Sequence, residues 1–98
     1  MTARHPMPER YQAIVREVAE ERVVPVDVLF TRQRRSGATE ARRAAYARVR
    51  ATPLLTGRLP SYPQIGRWFG RNHATIVSGV KAHEAQEVSR SSEMERAA

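Results

Sequence analysis

The amino-acid sequence predicts an all-α fold, a small helical bundle of about five helices. Two observations predict it. Apolar residues recur at three- and four-residue spacing through most of the chain, and Pro, Gly, Ser or Asn stands at the ends of nearly every such stretch. A sheet finds no support. Val23–Val28 is rich in β-branched residues, but no second strand-like segment exists to pair with it.

The first helix begins after Pro8. Tyr11, Ile14, Val15, Val18 and Ala19 form one apolar stripe, and Glu9 suits a helix N-terminus. It stops near Arg22, because Pro25 disfavours helical geometry at Val24. Val26, Leu29 and Phe30 predict a short second helix with Pro25 in its first turn. A basic loop, Thr31 to Gly37, leads to a third helix ending near Ala51 and capped by Ala38 or Thr39. Its apolar face is Ala41, Ala44, Ala45, Val49 and Thr52, with Arg42, Arg43, Arg48 and Arg50 around it. Residues 53–60 hold two prolines and a glycine and form a connector.

Ser61-Tyr-Pro-Gln64 has the form of a capping box at the start of a fourth helix. Ile65, Trp68 and Phe69 are its buried face, and Gly70 ends it. Asn72 caps a fifth helix whose inner face is Ile76, Val77 and Val80. The chain thus divides into an N-terminal segment 1–8, a domain 9–88 and a polar tail 89–98 that is expected to fray.

Charge narrows the function classes. The net charge is +7, the pI is about 11.2, and the arginines dominate. Residues 1–31 carry −1, residues 32–81 carry +10 and residues 82–98 carry −2. A concentrated cationic middle segment points to a polyanion; a merely solvated arginine face is the bland alternative. There is no cysteine, which excludes disulfides and cysteine-ligated metal sites. Three spaced histidines without matching carboxylates suggest no metal, and His83 with Glu87 reads as a surface pair one turn apart. No nucleophile–base set suggests an enzyme, and no cofactor is implied. No apolar run reaches the roughly 20 residues of a membrane span. The expected location is cytoplasmic, on the nucleoid.

The two helices joined by Gly70-Arg71-Asn72 have the proportions of a helix-turn-helix, with the second, about residues 72–87, as recognition helix. Opposite its apolar stripe lie Thr75, Ser78, Gly79 and Ala82, with Lys81 at the edge; such small side chains admit a helix deep into a major groove. Packing of that face on another helix is the alternative. Arginines of the loop 32–37 suit a narrow minor groove or the phosphate backbone. Trp68 reads as core, and nothing suggests an RNA platform.

From Ile14 to His83, about 70 of the 98 residues, the chain resembles the C-terminal DNA-binding domain (domain IV) of the bacterial replication initiator DnaA. The segments are Glu40-Ala-Arg-Arg-Ala-Ala-Tyr46, Pro63-Gln-Ile-Gly-Arg-Trp-Phe-Gly70 and Arg71-Asn-His-Ala-Thr-Ile-Val77. They match that family's EARQIAM, LPEIGxxFG and GRDHTTV in order and spacing. The resemblance implies a Trp-repressor-like helix-turn-helix and recognition of short asymmetric duplex sites. It implies major-groove reading by Arg71, Asn72, His73, Ala74 and Thr75, to which the wheel adds Ser78, and minor-groove contact by Arg32, Arg34 or Arg35. Backbone candidates are Arg42, Arg43, Arg48, Lys81, Ser61 and Tyr62.

Departures from the family pattern carry expectations of their own. Asn72 replaces an aspartate and suits adenine rather than cytosine, and Ala74 replaces a threonine. The preferred site should therefore differ from the usual initiator box. No GxxxxGK[ST] phosphate loop is present, so the chain is not itself an ATP-driven initiator. Met1 and the polar flanks point to a complete small protein, a transcriptional regulator or replication-linked factor of a bacterium or phage, rather than a fragment of a longer initiator. The competing class is a protein-interaction module whose basic face docks an acidic partner, with Tyr11, Tyr62 and Leu54-Leu55 as its apolar patch. A homodimer, or an initiator or regulator protein as partner, stays open.

Overall fold

The computed structural model describes residues 6–30 and 37–97, with side chains to residue 89. It is all-helical: α1 (Glu9–Glu21), a 3-10 turn (Val26–Phe30), α2 (Ala38–Ala51), α3 (Tyr62–Phe69) and α4 (His73–Ala97). The expected second α-helix is the 3-10 turn. Five residues between Pro25 and the basic loop suffice only for tight turns, opened by Val28 N–H on the Pro25 carbonyl at 3.1 Å.

Helix α1 buries Tyr11, Val15, Val18 and Ala19, as its spacing requires. Pro8 is the N-cap residue, and its carbonyl accepts from Tyr11 and Gln12. The chain leaves α1 through Val23, which takes the left-handed conformation at φ 55° while Val24 N–H bonds back to Ala19 O at 3.0 Å. That closure usually employs glycine.

Helix α2 is the hub and packs on α1, the 3-10 turn, α3 and α4. Neither Ala38 nor Thr39 caps it. Gly37 occupies the N-cap position at φ 80° with no side-chain bond, and Ala38 is already inside the helix and fully buried. Thr52, expected on the apolar face, is instead the C-cap residue: its Oγ1 donates to Arg48 O at 2.8 Å, and its carbonyl accepts from Tyr11 Oη at 2.8 Å. Aromatic rings tie the layers together. Tyr11 meets Trp68 at 4.9 Å, Phe30 stacks on Phe69 at 5.3 Å, and Tyr46 meets Phe69 edge-on at 4.8 Å. Trp68 is therefore core.

The polar tail does not end α4. The helix continues to Ala97, because residues 80–97 contain neither Pro nor Gly to stop it. No helix among the described residues is long and apolar enough to cross a membrane.

Candidate nucleic-acid interface

The candidate site is built on the junction of α3 and α4. Ser61 Oγ accepts from Gln64 N–H at 3.2 Å and starts α3. Gly70, at φ 68°, ends it in the left-handed geometry that favours glycine. The chain then folds back so tightly that Arg71 N–H bonds to Gly66 O at 2.8 Å. A methyl group on Gly66 would come 2.6 Å from the Arg71 carbonyl oxygen. Glycine at position 66 therefore sets how closely the start of α4 seats on α3.

Asn72 caps α4, as expected: its Oδ1 accepts from Ala74 N–H at 2.9 Å. This bears on the expected adenine preference. Bidentate pairing with adenine uses both the oxygen and the NH2 of an asparagine amide. The cap engages one of the oxygen's two lone pairs and does not involve the NH2 group. As folded, Asn72 suits an acceptor such as a phosphate, a purine N7 or a carbonyl.

His73, Ala74 and Thr75 are exposed on the first turn of α4, and Ser78 is exposed one turn later. Ile76 and Val80 are buried on the opposite side. The open face differs from the wheel at one position. Gly79 is buried against α2, where a methyl group would come 2.9 Å from Tyr46 Cδ2. Its lack of a side chain serves the packing of α2 on α4.

A cleft of about 410 Å³ runs between these helices. Helix α2 contributes Thr39, Arg42, Arg43 and Tyr46. The turn and α4 contribute Arg71, Ala74, Thr75, Ser78 and Gly79. Three guanidinium groups and four hydroxyl-bearing side chains thus meet in one recess, and no carboxylate is among its described lining residues. That composition suits an oxyanion.

The cations are not equivalent. Arg43 is exposed. Arg42, expected on the rim, is only 9% exposed, and its Nε donates to Val28 O at 3.0 Å. Burial lowers its pKa, with Arg71 adding to the effect. Arg42 is therefore chiefly a strut between α2 and the 3-10 turn. A helical side chain at position 42 lies four residues before Tyr46 on the same inward stripe, and the long stem carries the charge across the core edge. Arg71 and Tyr46 line the same recess. Burial raises the Tyr46 pKa, against the lowering effects of Arg71 and Arg42.

The remaining backbone candidates are dispersed. Arg48 pairs with Glu21 of α1 at 2.8 Å, and that bond holds the Glu21 carboxyl below its ordinary range. Lys81 is exposed on α4. The Ser61 oxygen serves the α3 cap, and the half-buried Tyr62 ring lies under the Arg50 guanidinium at 4.6 Å. His83 and Glu87 approach to 3.7 Å on α4, as a surface pair would. Arg32, Arg34 and Arg35 lie outside the described residues.

Tyr46 and Thr39 were not among the site residues singled out from spacing. The available signal was the i, i+4, i+7 row Arg42, Tyr46, Val49, which aligns Tyr46 with the buried side of α2. Which residue of α4 it meets depends on how the helices cross. Compared with protein-family models, with curated proteins and with solved structures, the chain matches none of them.

Proposed function

We propose that this chain is a sequence-specific double-stranded DNA-binding protein, a transcriptional regulator or replication-linked factor with no ATPase or other catalytic activity of its own. The observation that carries the reading is the arginine-lined cleft beside the open first turn of α4. In this reading α4 enters the major groove by its N-terminal end. His73, Thr75 and Ser78 address base edges, Ala74 leaves room for the approach, and Arg43 meets phosphate. The loop arginines Arg32, Arg34 and Arg35 address the minor groove or the backbone. The resemblance to the DnaA C-terminal domain supports the same docking, and the cytoplasmic nucleoid is the corresponding location.

A second reading, protein docking, has one observation in its favour. Leu55 is 96% exposed beside an apolar groove lined by Pro8, Tyr11 and Leu54. The deciding experiment is selection of bound sequences from a random duplex pool, followed by titration of the recovered sites at two salt concentrations. DNA recognition requires a short enriched motif, bound well above scrambled duplex at about 0.15 M salt. Absence of a motif, with affinity collapsing as salt rises, overturns it in favour of a protein partner.

A further inference from the structure

The recess between α2 and α4 is roomy and carries one sign of charge. Its volume of about 410 Å³ lies in the size range of small-molecule sites, roughly 300–1,000 Å³. Arg42, Arg43 and Arg71 line it, and no carboxylate is among its described lining residues. Burial lowers the pKa of Arg42, and the nearby charge of Arg71 adds to the effect. Like charges therefore stand close together, and an anion between them relieves their repulsion. Each phosphate of a duplex backbone brings one negative charge. A phosphate monoester brings about two, which matches a cluster of three cations better.

Arg43 is the residue placed to hold such a group. It is exposed, and among the described residues it makes no ion pair. Its stem reaches α4 at Gly79, where a methyl group would come 3.5 Å from Cγ. The planar fork of a guanidinium suits two oxygens of one phosphate. Thr39 stands one turn before Arg43 on α2, and Thr75 and Ser78 stand one turn apart on α4. All three are exposed and bring hydroxyl donors to the two walls of the recess. Arg42 and Arg71 act through their charge, and no donor of theirs is required.

From this arrangement we infer that the recess is a seat for the phosphate group of a small phosphorylated ligand, a monoester or a diphosphate, and that its occupancy opposes duplex binding. Ligand and DNA backbone offer Arg43 the same chemistry and therefore exclude each other there. The opposition to duplex rests on the DNA reading proposed above. The seat itself does not.

Inorganic pyrophosphate is the probe. It is titrated into the wild-type chain, Arg43→Ala, Ser78→Ala and a charge control on α1, Arg16→Ala, with sodium chloride holding the ionic strength constant. Backbone amide resonances and thermal unfolding read the binding. Affinity for a duplex recovered by selection is then measured with and without pyrophosphate. In wild type the resonance shifts saturate, centre on residues 39–46 and 71–79, and accompany a higher melting temperature. Arg43→Ala raises the Kd roughly ten-fold, as loss of a charge-assisted hydrogen-bond donor predicts. Ser78→Ala weakens binding less, and Arg16→Ala binds as wild type. Pyrophosphate weakens duplex binding by wild type beyond chloride at equal ionic strength, and does so far less for Arg43→Ala.

Scattered shifts that never saturate overturn the inference, and so does equal weakening in Arg43→Ala and Arg16→Ala. Shifts at the recess that appear with duplex and not with pyrophosphate also overturn it: the DNA backbone is then the source, and the DNA reading stands. Saturable binding that leaves duplex affinity unchanged overturns the opposition. Saturable binding at the recess in a chain that selects no DNA motif supports the seat and overturns the DNA reading.

Discussion

Gly79 of α4 lies against the ring of Tyr46 of α2, so closely that a methyl group on Gly79 would come 2.9 Å from Cδ2 and 3.4 Å from Cε2. Glycine in a helix interior costs about 1 kcal/mol relative to alanine, so propensity alone favours Gly79→Ala. The ring has little room to retreat, being buried and packed on Phe69. Overpacking of this kind costs about 1–3 kcal/mol. Gly79→Ala is therefore expected to lower the melting temperature. A variant that melts at or above wild type would show that the ring yields and that the contact is not a constraint.

Val23 pays a conformational cost of the opposite kind. It holds a left-handed φ of 55° while 88% exposed, so its side chain gives back almost no packing. For a β-branched residue that geometry costs about 1–2 kcal/mol. Val23→Gly removes the strain and adds backbone entropy to the unfolded chain, for a net gain of up to about 1 kcal/mol. Denaturant midpoints read this directly, and a loss of stability in Val23→Gly contradicts the strain.

Arg42 and Arg43 are adjacent and are expected to fail differently. Replacing Arg42 by Met removes the buried 3.0 Å hydrogen bond from Nε to the Val28 carbonyl. The expected cost is about 1–3 kcal/mol of stability, with little change in the salt dependence of DNA binding. Arg43→Ala removes an exposed cation. It should fold as wild type, weaken all sequences alike and reduce the salt slope by about one. If the two variants show the same pair of effects, the division between strut and phosphate contact is wrong.

Asn72 separates capping from recognition. An aspartate at this position keeps an oxygen for Ala74 N–H and adds a favourable charge at the start of α4. It loses the NH2 donor. Asn72→Asp should thus retain stability and change the selected site, whereas Asn72→Ala should cost about 1 kcal/mol of stability as well. Unaltered site preference in Asn72→Asp removes this residue from the reading set.

Two phenols tie stability to alkaline pH. Burial raises the pKa of Tyr11, countered in part by Arg10, and burial raises that of Tyr46, countered by Arg71 and Arg42. The folded values lie above the ordinary 10.0 of the unfolded chain. The neutral phenols therefore contribute their full stability below that value and lose it as pH rises through the folded values. Absorbance titration of the native chain should show Tyr11 and Tyr46 ionising late, with unfolding alongside. Tyr46→Phe should remove one late step. Ionisation of every tyrosine at the unfolded value, without loss of structure, counts against both burials.

Much of the architecture was legible because local rules sufficed. The stripe Tyr11, Val15, Val18, Ala19 is buried where its spacing puts it, and Ser61, Gly70 and Asn72 cap or end the helices they flank. Where local rules misled, a competing term prevailed. Val26–Phe30 is too short to repay an α-helical nucleus, and Ala38 is drawn into the core instead of standing at a cap.

The sequence by itself determined the helical class, the bounds of most helices, the cationic middle and the glycine-marked turn between α3 and α4, because each depends on residues a few positions apart. Tertiary structure alone decided which of those residues meet. Arg42 faces the core, Gly79 faces Tyr46, and Arg71 comes to line one recess with Tyr46, 25 residues earlier in the chain. Such pairings depend on how α2 crosses α4, and a crossing is set by the packing of whole helix faces rather than by any local pattern.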